Sequence, residues 1–230
     1  MYKRKRVTAI ILAGGTGSRM GVSENKVYLP LAGRPALWHG AKTFDQHPYV
    51  DELVLAVRES EQERARAFIT ESAFTKPCRL VLGGDSRQTS VRNALKDVKS
   101  KLVLVHDGAR PLVHAQLIFT CVEALDKHDG AIVALPVEAH IYSVSRKQKP
   151  PKQLREPLYR AQTPQGFRTK ILRRCHDRHR HNPGITDDSC LLELEGYQVG
   201  IVSGDPGNIK LTTPIDLSLA EMLIASKPQK

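Results

Sequence analysis

A glycine-rich loop directly follows the first apolar run of the chain. The run at residues 7–12 is short and rich in β-branched residues, which predicts a buried parallel strand. The glycines that follow it are Gly14, Gly15 and Gly17. Glycines at such a point let the backbone approach a ligand closely, and their N–H groups can face a phosphate. Two cations, Arg19 and Lys26, come next and suit a polyphosphate whose charge grows during a reaction. These residues predict an enzyme that acts on a nucleotide.

This loop differs from two common phosphate-binding motifs. No Gly-Lys-Ser/Thr closes it, so it is not a Walker A loop, and Met20 stands where a dinucleotide fingerprint has its third glycine. The longer pattern over residues 12–35 is L-A-G-G-x-G-x-R-x(6)-K-x-Y-L-P-L-x-G-x-P. It resembles the sugar-phosphate nucleotidylyltransferases, which join a nucleoside triphosphate to a phosphorylated sugar or polyol.

The composition predicts one nucleotidyltransferase domain over residues 1–230. Hydrophobic residues make up 40% of the chain, enough for a sizeable core, and aromatic residues only 5%, as in aliphatic parallel sheets. No apolar stretch approaches the length of a membrane span. The apolar run after the KRKR segment is too short for a signal peptide and leads straight into the glycine loop. We therefore expect a cytoplasmic protein without a membrane partner.

The net charge of +11 raises the alternative of a nucleic-acid-binding protein. The excess charge lies mostly in separate patches, at residues 3–6, 146–155 and 168–180, and none alternates with aromatic residues as a single-strand platform would. Anionic substrates explain the charge equally well, so we expect no nucleic-acid partner.

The cysteines and histidines favour structural roles over a metal centre. The four cysteines are scattered with no C-x-x-C pair, which favours buried reduced thiols over a zinc site or disulfides. His176, His179 and His181 have basic neighbours, which favours a solvated helix end over a metal site. The Thr-Asp-Asp-Ser run at residues 186–189 predicts a helix N-cap, with a supporting role in an active site as the alternative.

Apolar runs alternate with helix-like stretches along the chain. The predicted strands lie at residues 7–12, 53–57, 79–82, 102–105, 131–136 and 199–202. This alternation predicts an α/β fold with a doubly wound, mostly parallel Rossmann-like sheet, which binds ligands at the carboxyl ends of its strands. The segment at about residues 138–160 breaks the pattern, because its polarity alternates around a Lys-Pro-Pro-Lys turn. It predicts a protruding β-hairpin, either a surface loop or a dimerisation arm.

Further polar residues follow the later strands. Residues 83–95 open a helix with a Ser or Thr cap and supply polar groups that can read a base and ribose. Asp107 is placed to hold Mg²⁺ against phosphates, the alternatives being a helix cap or an ion pair with Arg110. Thr163, held extended by the next proline, either binds substrate or shapes the turn. Lys210 is a candidate phosphate-neutralising cation.

Six sequence blocks occur in a definite order. They are LAGGTGSRMG with the following K-x-YLPL, GGDSRQ-x-SV-x-NAL, VHDGARP, R with the later TPQGF, TDD, and NIK-x-T-x-P-x-DL. The set covers nearly the whole chain and resembles the 2-C-methyl-D-erythritol 4-phosphate cytidylyltransferases of the non-mevalonate isoprenoid pathway. The ribitol-5-phosphate cytidylyltransferases are a close alternative. The resemblance implies CTP as donor, a polyol phosphate as acceptor, Mg²⁺ as cofactor, pyrophosphate release, and a homodimer with exchanged β-arms.

The same resemblance implies roles for individual residues. The implied catalytic cations are Arg19, Lys26, Arg155 and Lys210. The implied CTP-binding residues are Ala13, Gly14, Gly15, Gly17, Ser18, Gly84, Asp85, Ser90 and Gly108. The implied acceptor-binding residues are Asp107, Arg110, His140 and Thr163, with Asp107 also the metal ligand. The chain departs from the family pattern just before the arm. The family usually has P-V-x-D-T-x-K there, and this chain has Ala139, His140 and Tyr142 where the pattern has Asp, Thr and Lys.

Overall fold

The computed structural model describes residues 1–15, 24–144, 152–180, 182, 184–185 and 187–226. The strands are β1 (Val7–Leu12), β2 (Pro30–Leu31), β3 (Arg34–Pro35), β4 (Glu52–Val57), β5 (Cys78–Leu82), β6 (Leu102–Asp107), β7 (Gly130–Pro136), β8 (Tyr142–Ser143), β9 (Lys152–Gln153), β10 (Tyr159–Arg168) and β11 (Val199–Ser203). The α-helices are α1 (Ala36–Gln46), α2 (Gln62–Ser72), α3 (Arg87–Leu95), α4 (Ala115–Ala124), α5 (Thr169–Arg178), α6 (Asp188–Leu194) and α7 (Pro214–Ala225). Two short 3-10 turns lie at Lys26–Tyr28 and Glu59–Glu61.

Within these ranges, seven strands form one sheet in the order β11-β7-β10-β6-β1-β4-β5. The pairs β1–β4, β1–β6, β4–β5 and β7–β11 are parallel, whereas β10 is antiparallel to both of its neighbours. The predicted doubly wound, mostly parallel sheet is thus confirmed. Each of the six predicted strands is present, with ends within two residues of the prediction.

Helices cover both faces of the sheet because successive side chains of each buried strand point to opposite sides. On β1, Ala9 and Ile11 belong to a core that also takes side chains from α1, α2 and α4. Ile10, between them, belongs to a second core with α3, α5 and α6. The result is a three-layer arrangement in which the carboxyl ends of β1, β4, β5 and β6 open onto the same edge.

Strand β10 lies in the middle of the sheet and was not predicted. Three of its buried residues are polar, since Gln162, Thr163 and Gln165 are each at most 3% exposed. The Thr163–Pro164 peptide bond is cis, and the pairing of β10 with β7 shifts register between Ala161 and Gln165. A proline has no N–H to donate, so a central strand accepts it at such an irregularity.

The segment before β10 forms a hairpin. Tyr142 and Ser143 of β8 pair antiparallel with Gln153 and Lys152 of β9, and residues 145–151 between them lie outside the described ranges. The two strands form a sheet of their own, separate from the seven-stranded one, and Tyr142 is 55% exposed. None of the helices in the described part of the chain combines the length and apolar character needed to cross a bilayer.

Candidate active site

A cleft of about 340 Å³ opens at the carboxyl ends of β1, β5 and β6. It brings together eight of the residues that the sequence singled out, which are Gly14, Gly15, Lys26, Gly84, Asp85, Ser90, Asp107 and Lys210. Gly17, Ser18 and Arg19 lie outside the described residues. The structure therefore places residues from four separate sequence blocks around one space.

The buried side chain of Asn25 ties the first loop to the turn that carries Lys26. Its Nδ2 donates to the Ala13 carbonyl at 2.6 Å, and its Oδ1 accepts from the Val27 N–H at 3.3 Å. Ala13 is itself fully buried and bonded to Ala56 O. Asn25 was not among the predicted site residues, although an asparagine before a helical turn is a common N-cap. Through these bonds the loop and Lys26, which is 8% exposed, hold one relative position.

The loop between β5 and α3 is shaped by two serines. Ser86 caps α3, because its Oγ accepts from the Thr89 N–H at 3.0 Å. Ser90 Oγ donates to Ser86 O at 2.9 Å and accepts from the Gly84 N–H at 3.1 Å. A Cβ added at Gly84 would lie 2.7 Å from the Thr89 Cβ. The predicted Ser90 therefore supports the loop, while Gly84 and the exposed Asp85 form its cleft-facing edge.

Three cations surround the carboxylate of Asp107 at the end of β6. Lys210 Nζ lies 2.7 Å from Oδ2, Arg87 Nε 3.5 Å from Oδ1, and Arg110 Nε 4.0 Å from Oδ2. Burial alone would raise the pKa of the Asp107 carboxyl, but Arg87, Lys210 and Arg110 together lower it well below its usual range. Asp107 is therefore an anion at neutral pH, and Lys210 is fixed over it with a side chain that remains 40% exposed.

A chain of hydrogen bonds beneath Asp107 fixes its backbone. The Asp107 N–H donates to Thr163 Oγ1 at 3.0 Å, and Thr163 donates in turn to His106 Nδ1 at 3.0 Å. His106 Nε2 donates to Arg110 O at 3.1 Å, which leaves Nδ1 of a neutral imidazole as the acceptor from Thr163. Burial lowers the pKa of His106 to about 4, which agrees with this assignment. Of the two predicted roles for Thr163, the structure favours shaping the protein, since the residue is 3% exposed.

Arg87 joins the cleft to a buried carboxylate in the segment predicted to cap a helix. Arg87 Nη1 lies 2.5 Å from Asp188 Oδ2, and Asp188 is fully buried. Burial would raise the pKa of Asp188, and Arg87 with His176 lowers it. The capping role belongs to the preceding residue, Asp187, which accepts from the Ser189 N–H at 2.8 Å. The two adjacent aspartates thus have different roles, since Asp187 caps α6 and Asp188 holds Arg87.

The histidine run is not a solvated helix end throughout. His176 is 0% exposed and its Nε2 lies 2.9 Å from Asp188 Oδ1, so the prediction is wrong for this residue. His179 pairs with Glu195 at 2.9 Å, and His181 lies outside the described residues. The cysteines are free thiols, and burial raises the pKa of Cys121 to about 12 and that of Cys175 to about 11.

Six predicted site residues do not line the cleft in the described structure. Two of them, Ala13 and Thr163, are described above, and the other four are Gly108, Arg110, His140 and Arg155. Gly108 is buried, and a Cβ there would lie 2.8 Å from Leu12 O, so it serves close packing. The Arg110 guanidinium donates to Asn208 O at 2.8 Å and to Ala161 O at 3.4 Å. His140 and Arg155 line a separate concavity on the hairpin, where Gln153 Nε2 lies 2.9 Å from His140 Nδ1.

Comparison with known proteins identifies the family. The family model described as "IspD: 2-C-methyl-D-erythritol 4-phosphate cytidylyltransferase" matches residues 7–226. The chain belongs to this family. It is 40% identical over 227 residues to the 2-C-methyl-D-erythritol 4-phosphate cytidylyltransferase of Geotalea uraniireducens, covering 96% of this chain and 97% of the relative. It is 39% identical over 222 residues to the protein of that name from Bacillus velezensis, covering 95% of each.

Solved structures of the IspD family have the same fold. The 4-diphosphocytidyl-2C-methyl-D-erythritol synthase of Anaerococcus prevotii superposes with a TM-score of 0.85 at 27% identity, covering 96% of this chain and 99% of that one. The 2-C-methyl-D-erythritol 4-phosphate cytidylyltransferase of Thermus thermophilus gives 0.77 at 30% identity, with 96% and 99% covered. The family resemblance that the ordered motifs predicted is therefore confirmed.

Proposed function

We propose that this protein transfers a cytidylyl group from CTP to 2-C-methyl-D-erythritol 4-phosphate, giving 4-diphosphocytidyl-2-C-methyl-D-erythritol and pyrophosphate. The observation that carries the proposal is one cleft that joins a glycine loop, a lysine turn and the Asp107–Lys210 pair in a chain of the IspD family. The reaction needs a nucleotide and a polyol phosphate but no nucleic acid or membrane, and we assign it to the cytoplasm.

The mechanism we propose is an in-line displacement. A phosphate oxygen of the acceptor attacks the α-phosphorus of CTP, the bond to the β-phosphate breaks, and pyrophosphate leaves with the electron pair. Such chemistry needs alignment and charge neutralisation more than a strong base. The N–H groups of Gly14 and Gly15 hold the triphosphate, and Lys26 with Arg19 opposes the charge that develops on it. Lys210, set by Asp107 and still 40% exposed, attracts the acceptor phosphate.

The donor set in the cleft bears on the proposed Mg²⁺. The described wall of the cleft offers two carboxylates, Asp85 and Asp107. No group of three or more His, Cys, Asp or Glu residues placed to hold an ion occurs in the described part of the chain. Mg²⁺ commonly takes one or two carboxylates together with substrate phosphates, so these residues fit an ion that arrives with the triphosphate. When bound, it would be held by Asp107 and would neutralise phosphate charge.

We propose further that two copies of the chain complete each other's acceptor site. Arg155 and His140 lie on the hairpin, apart from the cleft of their own chain. The hairpin also exposes apolar side chains, with Val144 71% and Tyr142 55% exposed, as a surface that packs on a partner does. In a two-fold dimer, Arg155 of one subunit then faces Lys210 of the other.

A donor and acceptor panel tests the reaction. Pyrophosphate release is measured for the four ribonucleoside triphosphates, each with 2-C-methyl-D-erythritol 4-phosphate and with ribitol 5-phosphate. We expect the highest kcat/KM with CTP and the erythritol phosphate. A preference for ribitol 5-phosphate, which the replacements at Ala139, His140 and Tyr142 make the natural alternative, would reassign the acceptor. Comparable kcat/KM values for CTP and UTP would reject the donor.

Mixing two inactive variants tests the shared site. Arg155→Ala and Lys210→Ala should each be nearly inactive. After subunit exchange, a heterodimer has one cleft lacking both cations and one intact cleft, so activity should return to about half a site per subunit by the two-fold symmetry. No recovery in verified heterodimers would show that each site draws both residues from one chain.

A further inference from the structure

A second concavity lies at the opposite edge of the sheet, where β6 begins and β10 ends. Its volume is about 730 Å³. Five lysines and two arginines line it, and its described wall contains no acidic residue; the lysines are Lys5, Lys96, Lys99, Lys101 and Lys170. Strand β6 separates it from the cleft, because Leu102 lines the concavity and Asp107 lines the cleft. At about 3.3 Å per residue, the two lie roughly 17 Å apart. We call this concavity the basic groove.

The two arginines of the groove are fixed to the protein, whereas the lysines are not. Arg173 Nη2 donates to Leu95 O at 2.9 Å and to Val98 O at 2.6 Å. Arg168 donates to Leu125 O at 3.2 Å and lies 3.5 Å from Asp129. In the described structure, none of the five lysines has a carboxylate within 4.0 Å of its Nζ. The five lysines therefore gather positive charge that no carboxylate in direct contact neutralises in the described structure.

The start of α5 adds to this positive potential. The helix begins at Thr169, its N-cap provides no side-chain hydrogen bond, and its first turn contains no acidic residue. The Thr169 N–H donates to Lys101 O at 3.0 Å, and the following N–H groups and the dipole of such a helix end favour an anion. Thr169 forms part of the groove wall, is only 3% exposed, and has a hydroxyl without a hydrogen-bond partner in the described structure. Arg173 Nε, also in the wall, is buried and unpartnered as well.

We propose that the basic groove is a second anion site, which binds a small molecule carrying two or more phosphoryl groups. Its volume is in the range of small-ligand sites, and its described wall has no aromatic side chain on which the bases of a single-stranded nucleic acid would stack. Free pyrophosphate and the phosphate tail of a nucleotide share this chemistry. The proposal is separate from the assigned reaction, since it requires no turnover and no cleft residue.

Pyrophosphate titration of a cleft-disabled chain tests this site. The full chain carrying Lys26→Ala and Lys210→Ala is titrated by calorimetry at low ionic strength, and we expect one pyrophosphate per chain. Adding Lys99→Gln and Lys170→Gln, both at exposed positions, should weaken binding by about tenfold or more, because two charge-assisted contacts are lost. The matched control adds Lys127→Gln and Arg66→Gln, two exposed cations outside the groove, and should change Kd by less than about twofold.

Three results would overturn the assignment. They are no pyrophosphate binding to the cleft-disabled chain at millimolar concentration, an equal loss in the control, and tighter binding of a duplex DNA that depends on the same two lysines. The last result would assign the groove to a nucleic-acid backbone. Titrations with tripolyphosphate and CTP separate the two small-molecule sources, since a nucleotide preference above tenfold identifies a nucleotide tail and equal affinity identifies free polyphosphate.

Discussion

The ion pair between Arg87 and Asp188 can be measured by a double-mutant cycle. Arg87 Nη1 lies 2.5 Å from Asp188 Oδ2, and the side chains are 27% and 1% exposed. Each group has a second partner. His176 Nε2 lies 2.9 Å from Asp188 Oδ1, and Arg87 Nε lies 3.5 Å from Asp107 Oδ1. Arg87→Met leaves a carboxylate in a dry environment, whereas Asp188→Asn leaves a guanidinium that keeps a second partner and some water. The two single variants should therefore lower the free energy of unfolding by different amounts.

The burial of the two groups sets the expected magnitudes. Removing one partner of a buried pair costs about 3–5 kcal/mol. We expect Arg87→Met to lower the free energy of unfolding by about 4 kcal/mol, because the remaining carboxylate is 1% exposed and keeps His176 but no water. Asp188→Asn should lower it by about 2 kcal/mol, because the remaining guanidinium keeps both Asp107 and contact with water. The double variant lacks both charges and should lose about 3 kcal/mol, which corresponds to a coupling energy of about 3 kcal/mol.

Urea unfolding followed by circular dichroism at neutral pH gives these values, with the slope m checked for constancy across the four proteins. A coupling energy below about 0.5 kcal/mol would refute the pair as a stabilising contact. Arg87 lines the cleft, so kcat/KM for CTP is measured on the same samples. It should fall in Asp188→Asn even at temperatures where this variant is fully folded, because the guanidinium has lost its buried anchor.

Three other substitutions test the cleft. Lys26→Ala should lower kcat by a hundredfold or more, about 3 kcal/mol, with a smaller effect on CTP affinity, and near-normal turnover would exclude a catalytic role. Gly84→Ala forces the loop to move, because its Cβ would meet the Thr89 Cβ at 2.7 Å; KM for CTP should rise by about tenfold or more, and an unchanged KM would place the loop outside the CTP site. The pKa of Asp107 is lower in the folded protein than in the unfolded chain, where it is about 4. The ion pairs of Asp107 therefore stabilise the fold at pH values above about 4, and this stabilisation is lost as the pH falls from there through the folded-state pKa. Asp107→Asn should flatten that acid-side loss in urea midpoints measured from neutral to low pH, and an unchanged profile would contradict the ion-pair assignment.

The sequence predicted the parallel strands because each is a short apolar run bounded by polar or glycine residues. It could not predict β10 in the same way. The burial of Gln162 and Thr163 is made possible by partners far along the chain, such as Asp205, which accepts from Gln162 through its backbone carbonyl at 2.9 Å. Without those partners a polar segment with a central proline indicates a loop.

Only the parts of the cleft that depend on local sequence patterns could be predicted. Glycine loops and residues at strand ends leave local signals, and these located Lys26, Gly84 and Asp107. The Arg87–Asp188 pair joins residues 101 positions apart, and no pattern within one segment indicates such a contact. In the proposed dimer, Arg155 on the hairpin of one subunit reaches the cleft of the other subunit. A contact between two chains leaves no pattern within one chain, so the sequence suggested a role for Arg155 only through the family resemblance.

The antiparallel strand β10 also has a consequence for the order of assembly during synthesis. Strands β1, β4, β5 and β6 can pair with one another once residue 107 has been made, but β7 and β11 connect to them only through β10 among the described strands. Until Arg168 emerges, the free edge of β6 offers unpaired backbone groups to other chains. A nascent chain arrested between β7 and β10 should therefore aggregate more readily than one arrested after α5. Strand β10, whose Thr163 accepts from the Asp107 N–H, thus also covers the edge of β6 that the incomplete sheet exposes.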